Sequence, residues 1–160
     1  IISDAVISAS ETQTAQIWKI REGLVEAQQM VGERYTYDVS VKISLVPEFI
    51  ERAGMLAQSK MTGIRPYAFG PVGDGNIHLS LFQPDDVDGT AFRSRLPEFD
   101  ELIFDLVHEF GGSFSAEHGI GLLKLEEMSS YKDPAGLSVM RTIKQAVDPS
   151  NIMNPGKVLP

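Results

Sequence analysis

Cysteine is absent from this chain, which excludes disulfide staples, thiol nucleophiles and thiolate metal sites. Basic residues are scarce: 14 Lys and Arg stand against 22 Asp and Glu, a formal net charge of −8. A nucleic-acid partner held by a basic stripe is therefore not expected. No apolar run approaches the ~20 residues of a transmembrane segment. The amino end, Ile1-Ile2-Ser3-Asp4, shows no basic region or cleavage pattern, and its lack of Met leads us to expect a fragment or trimmed chain. A glycine-rich phosphate loop is also missing. Gly119-Ile120-Gly121 has no third glycine and lacks the strand-to-helix context of a dinucleotide fingerprint. What is present is ordinary for one globular domain over residues 1–160, with 42% hydrophobic and 22% charged residues.

Periodicity predicts alternating strands and helices. Ala5-Val6-Ile7 reads as a short first strand. Ser10 and Gln13 form a capping-box pattern at the start of a helix over 11–31, whose stripe of Ile17, Ile20, Leu24, Ala27 and Val31 is expected to be buried. Tyr37, Val39, Val41 and Ile43 alternate with polar residues, the period of a half-buried strand. Pro47 opens a helix with Ile50, Ala53 and Ala57 inward; Tyr67 to Phe69 and Asn76 to Phe82 read as strands around a Gly73-Asp74-Gly75 turn. Pro97 opens a third helix, ended by Gly111-Gly112, and Leu137, Met140, Ile143 and Val147 mark a last one before an irregular tail. These elements predict an α+β fold, a ferredoxin-like antiparallel sheet with helices packed on one face. The opposite sheet face, along 38–44 and 76–80, is expected to lie open in this chain and to promote self-association into a homo-oligomer.

Two stretches stand out chemically. In Gly73-Asp74-Gly75-Asn76-Ile77-His78 the plain reading is a hairpin turn, yet Ile77, Leu79 and Leu81 must point one way and Asn76, His78 and Ser80 the other. A row of hydrogen-bonding groups on the face away from the core suits a ligand. In Ser115-Ala116-Glu117-His118-Gly119-Ile120-Gly121, an acid and an imidazole are flanked by glycines that let backbone approach a ligand closely; a helix entry is the plain alternative. Arg21 lies on the line of Trp18 and Val25, where a solvated Arg is ordinary and a carboxylate clamp is the functional alternative.

These motifs, with Lys124, Asp148-Pro149, Asn154-Pro155-Gly156-Lys157, Trp18-Lys19-Ile20-Arg21-Glu22 and Tyr37-Asp38-Val39-Ser40-Val41, resemble the carboxy-terminal domain of FAD-linked oxidases. That group, of the vanillyl-alcohol-oxidase type, contains D-2-hydroxyglutarate dehydrogenase, D-lactate dehydrogenase and the glycolate oxidase flavin subunit. The resemblance implies an FAD-dependent oxidoreductase that converts a 2-hydroxy acid to the 2-oxo acid. Its flavin would be bound mainly by an amino-terminal domain of the same protein. It further implies that Arg21 and His78 bind substrate, that His118 is the general base, and that Asn76, Glu117 and Asn154 lie toward the cofactor. His78 and Glu117 would occupy metal-ligand positions for zinc or manganese. A cytoplasmic location, at most peripheral to a membrane in the whole protein, goes with this reading.

The chain departs from the pattern at four positions. Pro71 stands where metal-dependent members carry a His, leaving two of three protein ligands, so metal binding is expected to be weak or absent. Thr36 replaces a Lys, Val25 a Thr and Ser80 an Asn. A non-catalytic ferredoxin-like binding module with a degenerate site is the competing expectation. The isolated chain is expected to hold no FAD and to be inactive.

Overall fold

The computed structural model describes residues 4–160, apart from the side chains of Val25, Gln29 and Val72. Among them the strict alternation of 76–82 makes the central strand. β3 (Asn76–Phe82) pairs antiparallel with β1 (Arg34–Ser40) on one edge and with β2 (Arg65–Phe69) on the other. On the outer edge of β1, Ser40 and Ser113 exchange both main-chain hydrogen bonds, at 2.9 and 2.8 Å. The sheet is the expected α+β arrangement in ferredoxin-like order, its fourth strand reduced to that one bridge.

Register fixes the two faces. Tyr37 stands opposite Leu79 and Val39 opposite Ile77, while Asp38 stands opposite His78, Thr36 opposite Ser80 and Ser40 opposite Asn76. A one-residue slip would exchange the two sets, so burial of the apolar face pins the polar one. Two helices cover the apolar face. α2 (Val46–Lys60) buries Phe49, Ala53 and Ala57, and α4 (Leu96–Glu109) buries Phe99, Ile103, Leu106 and Val107. Pro47 and Pro97 sit in the first turns of these helices, where a missing N–H costs nothing.

Several expectations change. Residues 4–8 form no strand, and Val6 and Ile7 are exposed. β1 begins three residues earlier than its alternation suggested and stops at Ser40, because Val41 N–H turns to the Gly75 carbonyl and 43–45 coil into a 3₁₀ turn. α1 (Glu11–Gln29) is capped as read: the Ser10 hydroxyl accepts from Gln13 N–H, although the Gln13 amide oxygen reaches Ala9 N–H. Its stripe is not buried: Ile20 is 71% exposed, and Ile17, Leu24 and Val31 are exposed as well, although Leu24 and Val31 line a groove against Tyr67 and Phe82. The helix leans on the far side of the sheet, where the Arg21 guanidinium lies 5.7 Å from the Phe69 ring centre and Arg34 donates to Gln28. Helices thus flank both sides.

Two short helices had no periodic signal: α3 (Gly89–Ser94), capped by the Asp88 carboxylate, and α5 (Leu125–Tyr131). α6 (Pro134–Val147) is the expected last helix. After it, the buried Asp148 carboxylate accepts from Ile152 N–H at 3.0 Å, Met153 N–H at 2.9 Å and the Lys144 ammonium, which fixes the start of the tail.

Candidate active site

The polar face of β1 and β3 is covered rather than open. Asp38 is 2% exposed, and Asn76 and Ser80 are buried. The loop after the Ser113 bridge folds across Asp38, whose carboxylate holds it. The Asp38 Oδ2 atom accepts from three successive main-chain N–H groups: Ala116 at 3.1 Å, Glu117 at 3.0 Å and His118 at 2.9 Å. Burial pushes the Asp38 carboxyl up, but these donors and the nearby His118 and Lys124 outweigh it and hold the group below its ordinary value. Lys124 braces the same loop from its other end, donating to the Phe114 carbonyl at 2.8 Å. Burial lowers its ammonium pKa, against the pull of Asp38 and Glu127.

With the loop seated, three of the residues read from the sequence meet. His78 Nε2 lies 3.2 Å from Glu117 Oε1, and His118 Nε2 lies 3.7 Å from the same oxygen. The two imidazoles stack with ring centres 5.5 Å apart and planes at 20°. The His78 side chain is 13% exposed, whereas His118 and Glu117 are 62% and 53% exposed. So one imidazole belongs to the wall, and the other two groups look outward. Phe69 flanks His78 at 5.1 Å between centres, and its ring is also the one that Arg21 approaches. Arg21 is therefore linked to the imidazole pair through a single aromatic ring.

Asp38 is the group that residue-by-residue reading missed as a site residue. Its signal was the alternation of β1, which puts it on the Ser40 face, but the pairing with His78 spans forty residues and needs the register. Asp38, His78, Glu117 and His118 each present one donor atom, all within 4.8 Å of one another. The Asp38 Oδ1 atom is buried without a hydrogen-bond partner. This oxygen- and nitrogen-rich set suits a divalent cation, and it does so without Pro71, which is exposed and accepts from Asp74 N–H in the turn.

The remaining residues sit apart from that group. Asn76 lies two positions before His78 on the same face, with its Oδ1 buried and unpartnered. Asn154 lies in the tail groove beside α6, where its side-chain oxygen accepts from Lys157. Two of the departures prove to be coupled: the Thr36 and Ser80 hydroxyls hydrogen-bond across the strands at 2.8 Å. Val25 lies outside the described side chains. Gly119 and Gly121 both have positive φ, in a segment that leads from an irregular turn and not from a strand.

The chain is 38% identical over 157 residues to a D-2-hydroxyglutarate dehydrogenase of Xanthomonas citri pv. viticola, covering 98% of this chain and 33% of that protein. It is 34% identical over 157 residues to a D-2-hydroxyglutarate dehydrogenase of Stutzerimonas stutzeri, covering 98% and 34%. A mitochondrial D-2-hydroxyglutarate dehydrogenase of Arabidopsis thaliana is 34% identical over 164 residues, covering 100% and 27%. The chain thus spans about a third or less of the length of these curated relatives. Residues 1–158 match the family model for FAD linked oxidases, C-terminal domain, and with the resemblance of its motifs now matched over nearly its whole length, the chain belongs to that family.

Proposed function

We propose that this chain is the substrate-binding domain of an FAD-dependent enzyme that oxidises a 2-hydroxy acid of the D-2-hydroxyglutarate, D-lactate or glycolate class to the 2-oxo acid. The observation that carries the reading is the convergence of Glu117 and His118, both on one loop, with His78 of β3, and with Arg21 one ring away. A module that served only for assembly would have no need of that gathering.

Oxidation at C2 removes the hydroxyl proton and the C2 hydrogen with its electron pair. His118, the exposed imidazole, takes the hydroxyl proton as general base. Arg21 grips the carboxylate, to which a guanidinium fork is matched in shape and charge. His78, held between Phe69 and His118, contacts the substrate from the wall of the site. When bound, the flavin would supply the acceptor for the C2 hydrogen and its electron pair, and Asn76, Glu117 and Asn154 are the residues of this chain that would contact it. His78 and Glu117, with donor atoms of Asp38 and His118 within reach, would hold a divalent cation such as zinc or manganese. That ion would supply Lewis acidity toward the hydroxyl.

No helix among the described residues is long and apolar enough to cross a membrane. The enzyme's partners in this reading are the acid substrate, the flavin domain and a second copy of itself. The test uses the full-length flavoprotein, mixed anaerobically with D-lactate, glycolate and D-2-hydroxyglutarate while flavin absorbance is followed. Bleaching by at least one acid is the expected result, and none by any would overturn the proposal.

A further inference from the structure

We propose that the site is built for a monocarboxylate, a 2-hydroxy acid whose remaining substituent is uncharged, and that it refuses dicarboxylates such as D-2-hydroxyglutarate. The inference narrows the active-site reading above and rests on it.

Register lays out the far face of the sheet in rows. One row holds Asp38, His78 and Phe69, with the Arg21 guanidinium over the Phe69 ring. The next, about 7 Å along the strands, holds Thr36, Ser80 and Tyr67. It carries hydroxyls and no charge, and the Thr36 and buried Ser80 hydroxyls already satisfy each other at 2.8 Å. In the opposite direction Ser40 and Asn76 make a row that is equally neutral. Cations do stand farther out, beside Phe82, but both are engaged. Arg34 donates to Gln28 of α1, while Arg65 lies 3.1 Å from Asp85 and donates to the Gln83 carbonyl at 3.2 Å. Lys124 is tied to the Phe114 carbonyl at 2.8 Å. Among the described residues this leaves Arg21 as the cation close to the imidazoles that a substrate can claim, and one guanidinium fork matches one carboxylate. Asp38 and Glu117 make the same place acidic, and a divalent ion held by these two acids carries no charge in excess of theirs. A second substrate carboxylate would lose water against neutral hydroxyls and like charges, with no cation to offset the loss. An alkyl group in its place meets the Phe69 and Tyr67 rings at no such cost.

The full-length flavoprotein tests this with two acids of equal length, D-2-hydroxypentanoate and D-2-hydroxyglutarate, which differ by one terminal carboxylate. Second-order rate constants for anaerobic flavin reduction should favour the pentanoate by about 10²-fold, the penalty of one unpaired like charge near the site. Thr36 is exposed, so Thr36→Lys brings an ammonium into the neutral row. That variant should narrow the ratio by at least about 10-fold at unchanged flavin content. Equal rates in the parent protein, or a preference for D-2-hydroxyglutarate, would overturn the proposal without any variant and leave the functional reading in place. A ratio unmoved in a folded, flavin-loaded Thr36→Lys protein would overturn it as well. If no 2-hydroxy acid reduces the flavin, the functional reading falls and binding decides the narrower claim. Titration calorimetry on the same protein should then show 2-oxopentanoate bound more tightly than 2-oxoglutarate. The reverse order, or binding of neither, would overturn it.

Discussion

Arg21 and His118 should separate cleanly when each is altered in the full-length protein. Arg21 is exposed and held by an aromatic face, so its guanidinium is available to a carboxylate before and during reaction alike. Its loss removes uniform binding, and Arg21→Lys should raise KM with kcat little changed, because the charge survives while the planar fork does not. In the proposed reaction His118 acts only as the proton leaves. His118→Asn should lower the rate of flavin reduction by about 10²–10⁴-fold with flavin content intact. A variant as fast as the parent, read by stopped-flow absorbance, would show that the base lies elsewhere. Asp100 offers a different test. Burial raises its carboxyl pKa, against the Tyr37 hydroxyl and with help from Glu127. A carboxyl raised on folding stabilises the fold below its unfolded value and loses that contribution as pH rises through the folded one. Asp100→Asn should therefore flatten the pH dependence of stability above about pH 4, measured by urea midpoints. A profile identical to the parent's would count against it.

At the scale of elements, the tightest points are the backbone approaches that make the polar face possible. Gly75 has φ +70°, and a Cβ there would overlap the Val41 carbonyl oxygen, the point where β1 leaves the sheet. Gly75→Ala combines left-handed strain of about 1–2 kcal/mol with that overlap. It should lower unfolding free energy by about 2 kcal/mol or more, with the denaturant slope unchanged; a loss within 0.5 kcal/mol, roughly the scatter of surface substitutions, would refute the crowding. The same elements show what sequence could and could not tell. The alternation of 76–82 and the stripes of α2 and α4 were legible because each pairs a local period with one buried face. The stripe of α1 had the right spacing yet stays exposed, since spacing reports which residues share a face and not how closely anything packs against it. α3 and α5 span fewer than two full helical turns, too short for a period to register. His78, Glu117 and His118 were legible from their motifs; Asp38 was not, because its role depends on cross-strand register and on main-chain N–H groups that no side-chain pattern encodes.

For the whole molecule, acid is the revealing variable. Asp38 and Asp148 are both held below their ordinary values: Asp38 by the His118 and Glu117 N–H groups despite burial, Asp148 chiefly by Lys144 and by the Met153 and Ile152 N–H groups. A carboxyl depressed on folding contributes stability that is present above its unfolded value, about 3.9 for Asp. That contribution disappears as pH falls through the lower folded value. The loop at 116–118 and the tail at 152–153 should hence loosen together below about pH 4, seen as faster amide exchange at those five residues than in β3. Equal protection throughout would mean that the carboxylates are not what holds them.

The grip of Asp38 on amide hydrogens and not on side chains has a further consequence. Any residue except proline brings an N–H to positions 116, 117 and 118, so the clamp is indifferent to what chemistry the loop displays. Glu117 and His118 can be exchanged one at a time, in the laboratory or over descent, while the loop keeps its seat. On the proposed function, a single buried acid leaves the loop that carries Glu117 and His118 open to change while its scaffold stands still.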